Sequence, residues 1–355
     1  MDHGASREDG AELTGQGRVD GEGTEGVPAP QAGASVGGLG EFGLIRQITR
    51  RFAAGPEVLV GPGDDCAVVT APDGRVVVTT DVLVEGVHFR RDWSSATEVG
   101  RKAAAQSLAD VAAMGARPTS IVVGLAAPPA LPADWATGLS DGLAAECAVA
   151  GAYVVGGDVV RAEEVVVSVT ALGDLQGRAP VLRSGARPGD DVVVCGSLGR
   201  SAAGLALHLA ADRALLERFA ELAAVHRVPV PPYPAGPALA DAGATALVDV
   251  SDGLLQDLGH VAQASGVVLA LDAAALEGDV AVLASCASAL GGDPWEWVLG
   301  GGEEHSLAGA APAGARLPEG ARVVGRVLDA SGRSPGVVLH GRELPGTLGW
   351  DHYAG

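Results

Sequence analysis

Between Gly61 and Phe89 two apolar runs carry carboxylates that a folded chain cannot bury without compensation. The first is Gly61-Pro-Gly-Asp64-Asp65-Cys-Ala-Val-Val. After a turn at Pro72-Asp-Gly, the second runs through Val78-Thr79-Thr80-Asp81 to His88-Phe89. The pattern predicts a hairpin of two strands with acids at their ends. Clustered carboxylates repel one another by several kcal/mol at low effective dielectric, so a fold that gathers them neutralises them with cations. Oxygen ligands with little His or Cys nearby favour Mg²⁺, which in turn favours phosphate substrates. A solvated hairpin with acidic turns is the alternative reading of this stretch alone.

The rest of the chain narrows these alternatives. Its 355 residues suffice for two domains, and 47 % hydrophobic with 3 % aromatic content implies a core of Val, Leu and Ala. A formal charge of −20 argues against general affinity for nucleic acid or an anionic membrane, though not against a phosphate that arrives with metal. Lys102 is the only lysine and sits in Arg-Lys-Ala, so a Walker-type phosphate loop is excluded. Cys66, Cys147, Cys195 and Cys286 lie far apart and read as reduced, mostly buried thiols of a cytoplasmic protein. No run reaches the ~18 uninterrupted apolar residues of a membrane span. Asp2, Glu8 and Asp9 stand where a secretory signal would be basic and then apolar.

Residues 1–36 carry seven acidic and two basic residues and read as a disordered, Gly-rich tail. Leu44, Ile45 and Ile48 space a short amphipathic helix. Ser94 to Glu98 provides N-cap chemistry for a helix over roughly 98–114, with Ala104, Leu108 and Val111 as its buried stripe. Lys102, Gln106 and Asp110 form a polar stripe on a face the core does not claim, where a solvated Asp is the ordinary reading. A strand from Ala152 ends in Gly156-Gly157-Asp158, which lets backbone approach a ligand or makes a plain turn. Gly173 to Gly189 reads as the interdomain connection.

The second half opens with the strand Asp191–Cys195, a glycine loop and a helix from Ala202, a weak anion-site signal. In Asp249-Val-Ser251-Asp252-Gly253 a strand passes into a helix, with Ser251 or Asp252 available as N-cap. Capping does not account for Asp249, a carboxylate inside an apolar strand. Trp295 to Gly302 again ends an apolar run in glycines and acids, here Glu303 and Glu304, and an aromatic tail follows at Trp350 and Tyr353.

Asp64, Asp65, Asp81, Asp110, Asp158, Asp249 and Asp252 all stand at strand ends or on helix faces beside Gly, Ser or Thr. Together they suit phosphoryl transfer, in which positioning and charge neutralisation dominate. Residues 40–353 resemble the thiamine-monophosphate kinase family, within the superfamily of aminoimidazole ribonucleotide synthetase. The resemblance rests on Gly40-Glu-Phe-Gly-Leu-Ile, Gly63-Asp-Asp-Cys-Ala, Thr79 through Phe89, Leu108-Ala-Asp-Val-Ala-Ala-Met-Gly-Ala, Gly156-Gly-Asp, Arg183-Ser-Gly-Ala-Arg-Pro-Gly-Asp, Asp249-Val-Ser-Asp-Gly-Leu and Gly301-Gly-Glu.

The resemblance implies an α/β (α+β) fold of two domains. Residues 37–177 would form a sheet domain that builds a barrel across a homodimer, and residues 178–355 a mixed α/β domain completing the site. It implies that ATP gives its γ-phosphoryl group to thiamine monophosphate. Asp65, Thr79, Thr80, Asp81, Asp110, Asp158, Asp249 and Asp252 would surround several Mg²⁺ ions, with Asp65, Asp81 and Asp110 acting through the metal. Gly157, Arg183 and Ser251 would contact ATP, and His88, Glu303 and Trp350 the thiamine phosphate. Asp64 has no assigned role. Two segments depart from the family: Glu304-His305-Ser306 stands where Asp-Tyr-Glu is usual, and Val228-Pro-Val-Pro-Pro where Arg-Pro-x-Pro-Arg is frequent. A partly exposed loop histidine is the expectation for His305, with a new ligand contact as the alternative. A sister ATP-dependent enzyme and a binding protein without turnover are the alternatives.

Overall fold

Val58–Val60 (β1) pairs antiparallel with Val68–Val69 (β2), whereas Val77–Val84 (β3) pairs with Val166–Asp174. The expected hairpin is therefore two separate pairings, because β3 finds an eight-residue partner from much later in the chain. The computed structural model describes residues 35–62 and 66–342, with only the backbone of Glu41 and Phe42. Asp64, Asp65, Trp350 and nearly all of the expected tail lie outside the described residues.

Helix α1 (Val36–Thr49) starts at Ser35, whose side chain accepts from Gly38 N. In α2 (Ala96–Ala113), Ser95 and Glu98 form a capping box: each side chain accepts from the other residue's backbone. Ser95→Ala is expected to cost about 1 kcal/mol, read as a lower urea midpoint with an unchanged slope. β4 (Arg117–Ala127), α3 (Ala133–Ala150), β5 (Tyr153–Arg161) and β6 (Val166–Asp174) complete the first half, and its sheet runs β3-β6-β4-β5. β5 continues through Gly156–Asp158 instead of ending there, since Gly156, Gly157 and Asp158 pair with Val122, Val123 and Gly124. Helices α2 and α3 pack closely because two glycines face the opposing backbone. A Cβ at Gly100 would stand 2.1 Å from Leu139 O, and one at Gly142 2.1 Å from Thr97 O.

After a connection over 175–190 comes the second sheet. β7 (Asp191–Cys195) leads to α4 (Arg200–Ala210), α5 (Arg213–Arg218), α6 (Ala220–Arg227) and α7 (Ala235–Asp241). β8 (Ala246–Asp249), α8 (Leu254–Ser265), β9 (Val267–Asp272), α9 (Ala273–Leu290) and α10 (Pro294–Gly300) follow. β10 (Leu307–Ala311), β11 (Ala321–Asp329) and β12 (Gly336–His340) close the order β12-β9-β11-β7-β10-β8. Only the β12–β9 pairing in this sheet is parallel. Leu254, Leu258 and Val261 form one buried stripe along α8, each at 0 % exposure. Helix α9 is long and apolar enough to span a membrane, yet it carries Glu277 and Asp279 and packs Leu276, Leu283 and Cys286 into the core of this half.

Each sheet has its own aliphatic core. A third cluster joins Ala112 and Ala113 of α2 to Ala235, Leu239, Leu247 and Leu307. The C-terminal end of α2 thus packs against the second half while its body covers the first sheet. That placement carries Asp110 to the strand end that holds Asp249.

Candidate active site

Strand geometry sorts the expected ligands. Burial alternates along β3, so Thr79, Asp81 and Leu83 face α2 while Val78, Thr80 and Val82 face the other way. Thr79 Oγ1 donates to Asp110 Oδ2 at 2.8 Å. The Asp81 carboxylate accepts from Ser107 Oγ at 2.7 Å and from Gln106 Nε2 at 3.3 Å. Asp110 is not the solvated residue its stripe suggested. Burial, then the charges of Asp249 and Asp81, push its carboxyl up to about 7, against the opposing Thr79 hydrogen bond. Asp110 is half-buried, and Lys102, two turns earlier on that stripe, is buried.

Asp249 ends β8 and is 3 % exposed. His305 Nδ1 stands 3.1 Å from its Oδ2. His305 is 1 % exposed, contrary to the loop residue expected, because its backbone (φ +54°) turns the ring inward and its N donates to Val250 O. Burial disfavours the imidazolium, but the hydrogen bond and charge of Asp249 outweigh it and raise the His305 pKa.

The cap of α8 also differs from expectation. Gly253 is the N-cap, and Asp257 from within the helix accepts from Asp252 N at 3.1 Å and Gly253 N at 3.0 Å. Asp252 is left to accept from Gln256 Nε2 at 3.1 Å. Burial, then Asp249 and Asp252, push Asp257 up to about 7. Asp252, Asp257 and His260 offer ligand atoms within 4.8 Å of one another.

The glycine loop before α4 receives a carboxylate group from the chain itself. Glu304 accepts from Ser197 Oγ at 2.5 Å and from Ser201 N at 2.8 Å in the first turn of α4. Glu303 faces the other way, with Lys102 Nζ 3.0 Å from Oε1 and His226 Nδ1 3.4 Å from Oε2. Burial would raise the Glu303 carboxyl, but Lys102, with His226 and His305, outweighs it and holds Glu303 below the usual range. His88 Nδ1 accepts from Val84 N at 3.0 Å, and the His88 carbonyl receives Lys102 Nζ at 2.9 Å.

Not every expected contact falls here. Thr80 and Asp158 lie on the opposite face of the first sheet, where Thr170 Oγ1 donates to Thr80 Oγ1 at 3.1 Å. Gly157 and Asp158 line a cavity of about 810 Å³ there, with Pro62 and Cys66 on its wall. Arg183 is exposed, and its carbonyl accepts from Ser265 Oγ at the C-terminal end of α8. Ser251 precedes that helix, so about 18 Å of helix separates the two. The sequence reading missed Ser107, Asp257, His226 and the placement of Glu304. A signal existed for Lys102, a unique lysine, but Ser107 sits among alanines without a distinguishing pattern.

The donor set fits a hard divalent cation. Thr79, Asp81, Asp110 and Asp249 offer oxygen, and burial, then the charges of Asp249 and Asp81, holds the Asp110 carboxyl near 7.

Two sheets bridged by one helix, with acids converging at its end, define the class. Residues 63–175 match the family model for AIR synthase related protein, N-terminal domain. The chain is 53 % identical over 315 residues to the thiamine-monophosphate kinase of Mycobacterium tuberculosis (strain CDC 1551 / Oshkosh), covering 89 % of this chain and 92 % of the relative. It is 42 % identical over 300 residues to that of Corynebacterium glutamicum, covering 83 % and 88 %. The solved structure of AaThiL complexed with AMPPCP and TMP superposes with a TM-score of 0.72 at 33 % identity, over 89 % of this chain and 97 % of that one. The chain belongs to the thiamine-monophosphate kinase family.

Proposed function

We propose that this protein transfers the γ-phosphoryl group of ATP to the phosphate of thiamine monophosphate, forming thiamine diphosphate and ADP. The observation that carries the reading is the convergence of Thr79, Asp81, Asp110 and Asp249 in a chain this close to the curated kinases. A phosphate acceptor is largely ionised at neutral pH and needs no strong base, so catalysis rests on positioning and charge neutralisation.

Asp81, Asp110 and Asp249, with Thr79, would hold Mg²⁺, and Asp65 and Asp252 are proposed to extend that set; Thr80 and Asp158, on the other face of the first sheet, are proposed to hold a metal ion there. A divalent cation held there would neutralise charge on the polyphosphate. The chain's own residues aim these ligands: Ser107 and Gln106 orient Asp81, Thr79 orients Asp110, and His305 orients Asp249. Gly157, Arg183 and Ser251 are proposed for ATP, and His88, Glu303 and Trp350 for the thiamine phosphate.

The outer face of the first sheet supports a homodimer. Val78, Val82, Val122 and Val160 are 64, 44, 38 and 52 % exposed, and they flank Thr80 and Asp158. A division into domains at residues 177 and 178 follows the connection between the sheets. A cytoplasmic location accords with four free cysteines.

Incubated with Mg·ATP and thiamine monophosphate, the protein is expected to release ADP and thiamine diphosphate in equal amounts. ATP consumption without thiamine diphosphate, across a range of Mg²⁺ concentrations, would overturn the reading.

A further inference from the structure

Lys102 is the sole lysine of this chain and is 2 % exposed. An ammonium at that depth is stable only where fixed oxygens receive its donors. It has two such partners from distant segments: the His88 carbonyl, in the turn after β3, at 2.9 Å, and Glu303 Oε1, in the loop between α10 and β10, at 3.0 Å. The usual arrangement of a surface ion pair is inverted. The cation is enclosed, and the half-buried Glu303 side chain is the more accessible member at 28 %.

Glu303 is fixed from further directions. Its N donates to Ser251 O at 2.7 Å, and its φ of +56° is one that non-glycine residues adopt at a cost. Gly302 packs so tightly that a Cβ there would stand 2.4 Å from Ser251 O. The neighbouring His226 is driven down to about 3, first by burial and then by Lys102, and so is neutral. Among the described residues, Lys102 is thus the full positive charge in contact with the Glu303 carboxylate.

We propose that Lys102 is the positioning residue of the thiamine-phosphate subsite. From the enclosed side it fixes the Glu303 carboxylate and ties it to the His88 turn, so that two contacts on the substrate keep one spacing. This rests on the reading that Glu303 and His88 touch the thiamine phosphate.

The test compares KM for thiamine monophosphate and for ATP, with kcat and melting temperature, in Lys102→Met, Glu303→Gln and the double variant. Lys102→Met is expected to raise KM for thiamine monophosphate roughly tenfold or more while KM for ATP stays within about twofold. The double variant is expected to match Glu303→Gln, since a residue acting through another adds nothing once that other is gone. A lysine that only filled space would lower the melting temperature and leave the KM ratio unchanged, and that result overturns the proposal.

If Lys102→Met fails to fold around an unpaired carboxylate, the double variant carries the test, because it leaves no unpaired charge. A KM for thiamine monophosphate roughly tenfold above that of Glu303→Gln would then overturn the proposal, and equality would support it. Glu303→Gln with unchanged KM overturns instead the assignment of Glu303 to the substrate, and with it this role for Lys102.

Discussion

Asp110→Asn is expected to lower kcat by roughly 10²–10³ while raising the melting temperature of the metal-free protein. Both effects have one cause. Asp110 is half-buried beside Asp249 and Asp81, and desolvation first, then those two charges, pushes its carboxyl from 3.8 up to about 7. At 1.36 kcal/mol per unit, keeping it ionised costs on the order of 4 kcal/mol above neutrality. The amide removes that repulsion and can still accept from Thr79 Oγ1, which now donates to Asp110 Oδ2. It also removes a charge that a divalent cation requires. Steady-state kinetics at saturating Mg·ATP and a metal-free thermal melt check the pair of outcomes. A variant that is destabilised and fully active would contradict the account of Asp110.

The second large effect is a pH dependence that a metal should erase. The Asp110 and Asp257 pKa values are raised in the folded state, each to about 7. Between 3.8 and about 7 the folded protein therefore binds more protons at these sites than the unfolded chain, so stability falls as pH rises through that window. Above about 7 both groups are ionised in either state, and their contribution levels off. Metal-free protein is expected to be most stable towards the acid end of the window with respect to these groups. Mg²⁺ should restore stability at pH 8 by about 2.7 kcal/mol at a hundred times its dissociation constant. Urea melts at several pH values, with and without Mg²⁺, measure this, and Asp110→Asn should flatten the metal-free curve. Equal stability at pH 5 and pH 8 without metal would contradict it.

The strands and helices that carry the site were legible because their periodicity is strong. The α8 stripe of Leu254, Leu258 and Val261 is buried as its spacing required, and Ser95 and Glu98 cap α2 as their separation required. Pairing was less legible. β3 looked like the partner of the run before it, but β6 offers a full-length apolar edge and takes it. Strand parity then divided Thr79 from Thr80, adjacent residues that local sequence treats alike. Backbone conformation decided His305: a positive φ turns a loop histidine into a buried partner of Asp249. Glu303 and Glu304, also adjacent, separate in the same way, one facing Lys102 and the other the first turn of α4.

By itself the sequence determined which residue types the site has and the elements that bear them. Acids inside apolar runs are costly, so their recurrence pointed to a cation before any fold was known. Tertiary structure decided which acids meet. Asp81, Asp110 and Asp249 converge because α2 lies between two sheets, and Asp158 stays apart because its strand turns it to the other face. Charge and periodicity are properties of a segment, whereas convergence depends on contacts between segments far apart in the chain.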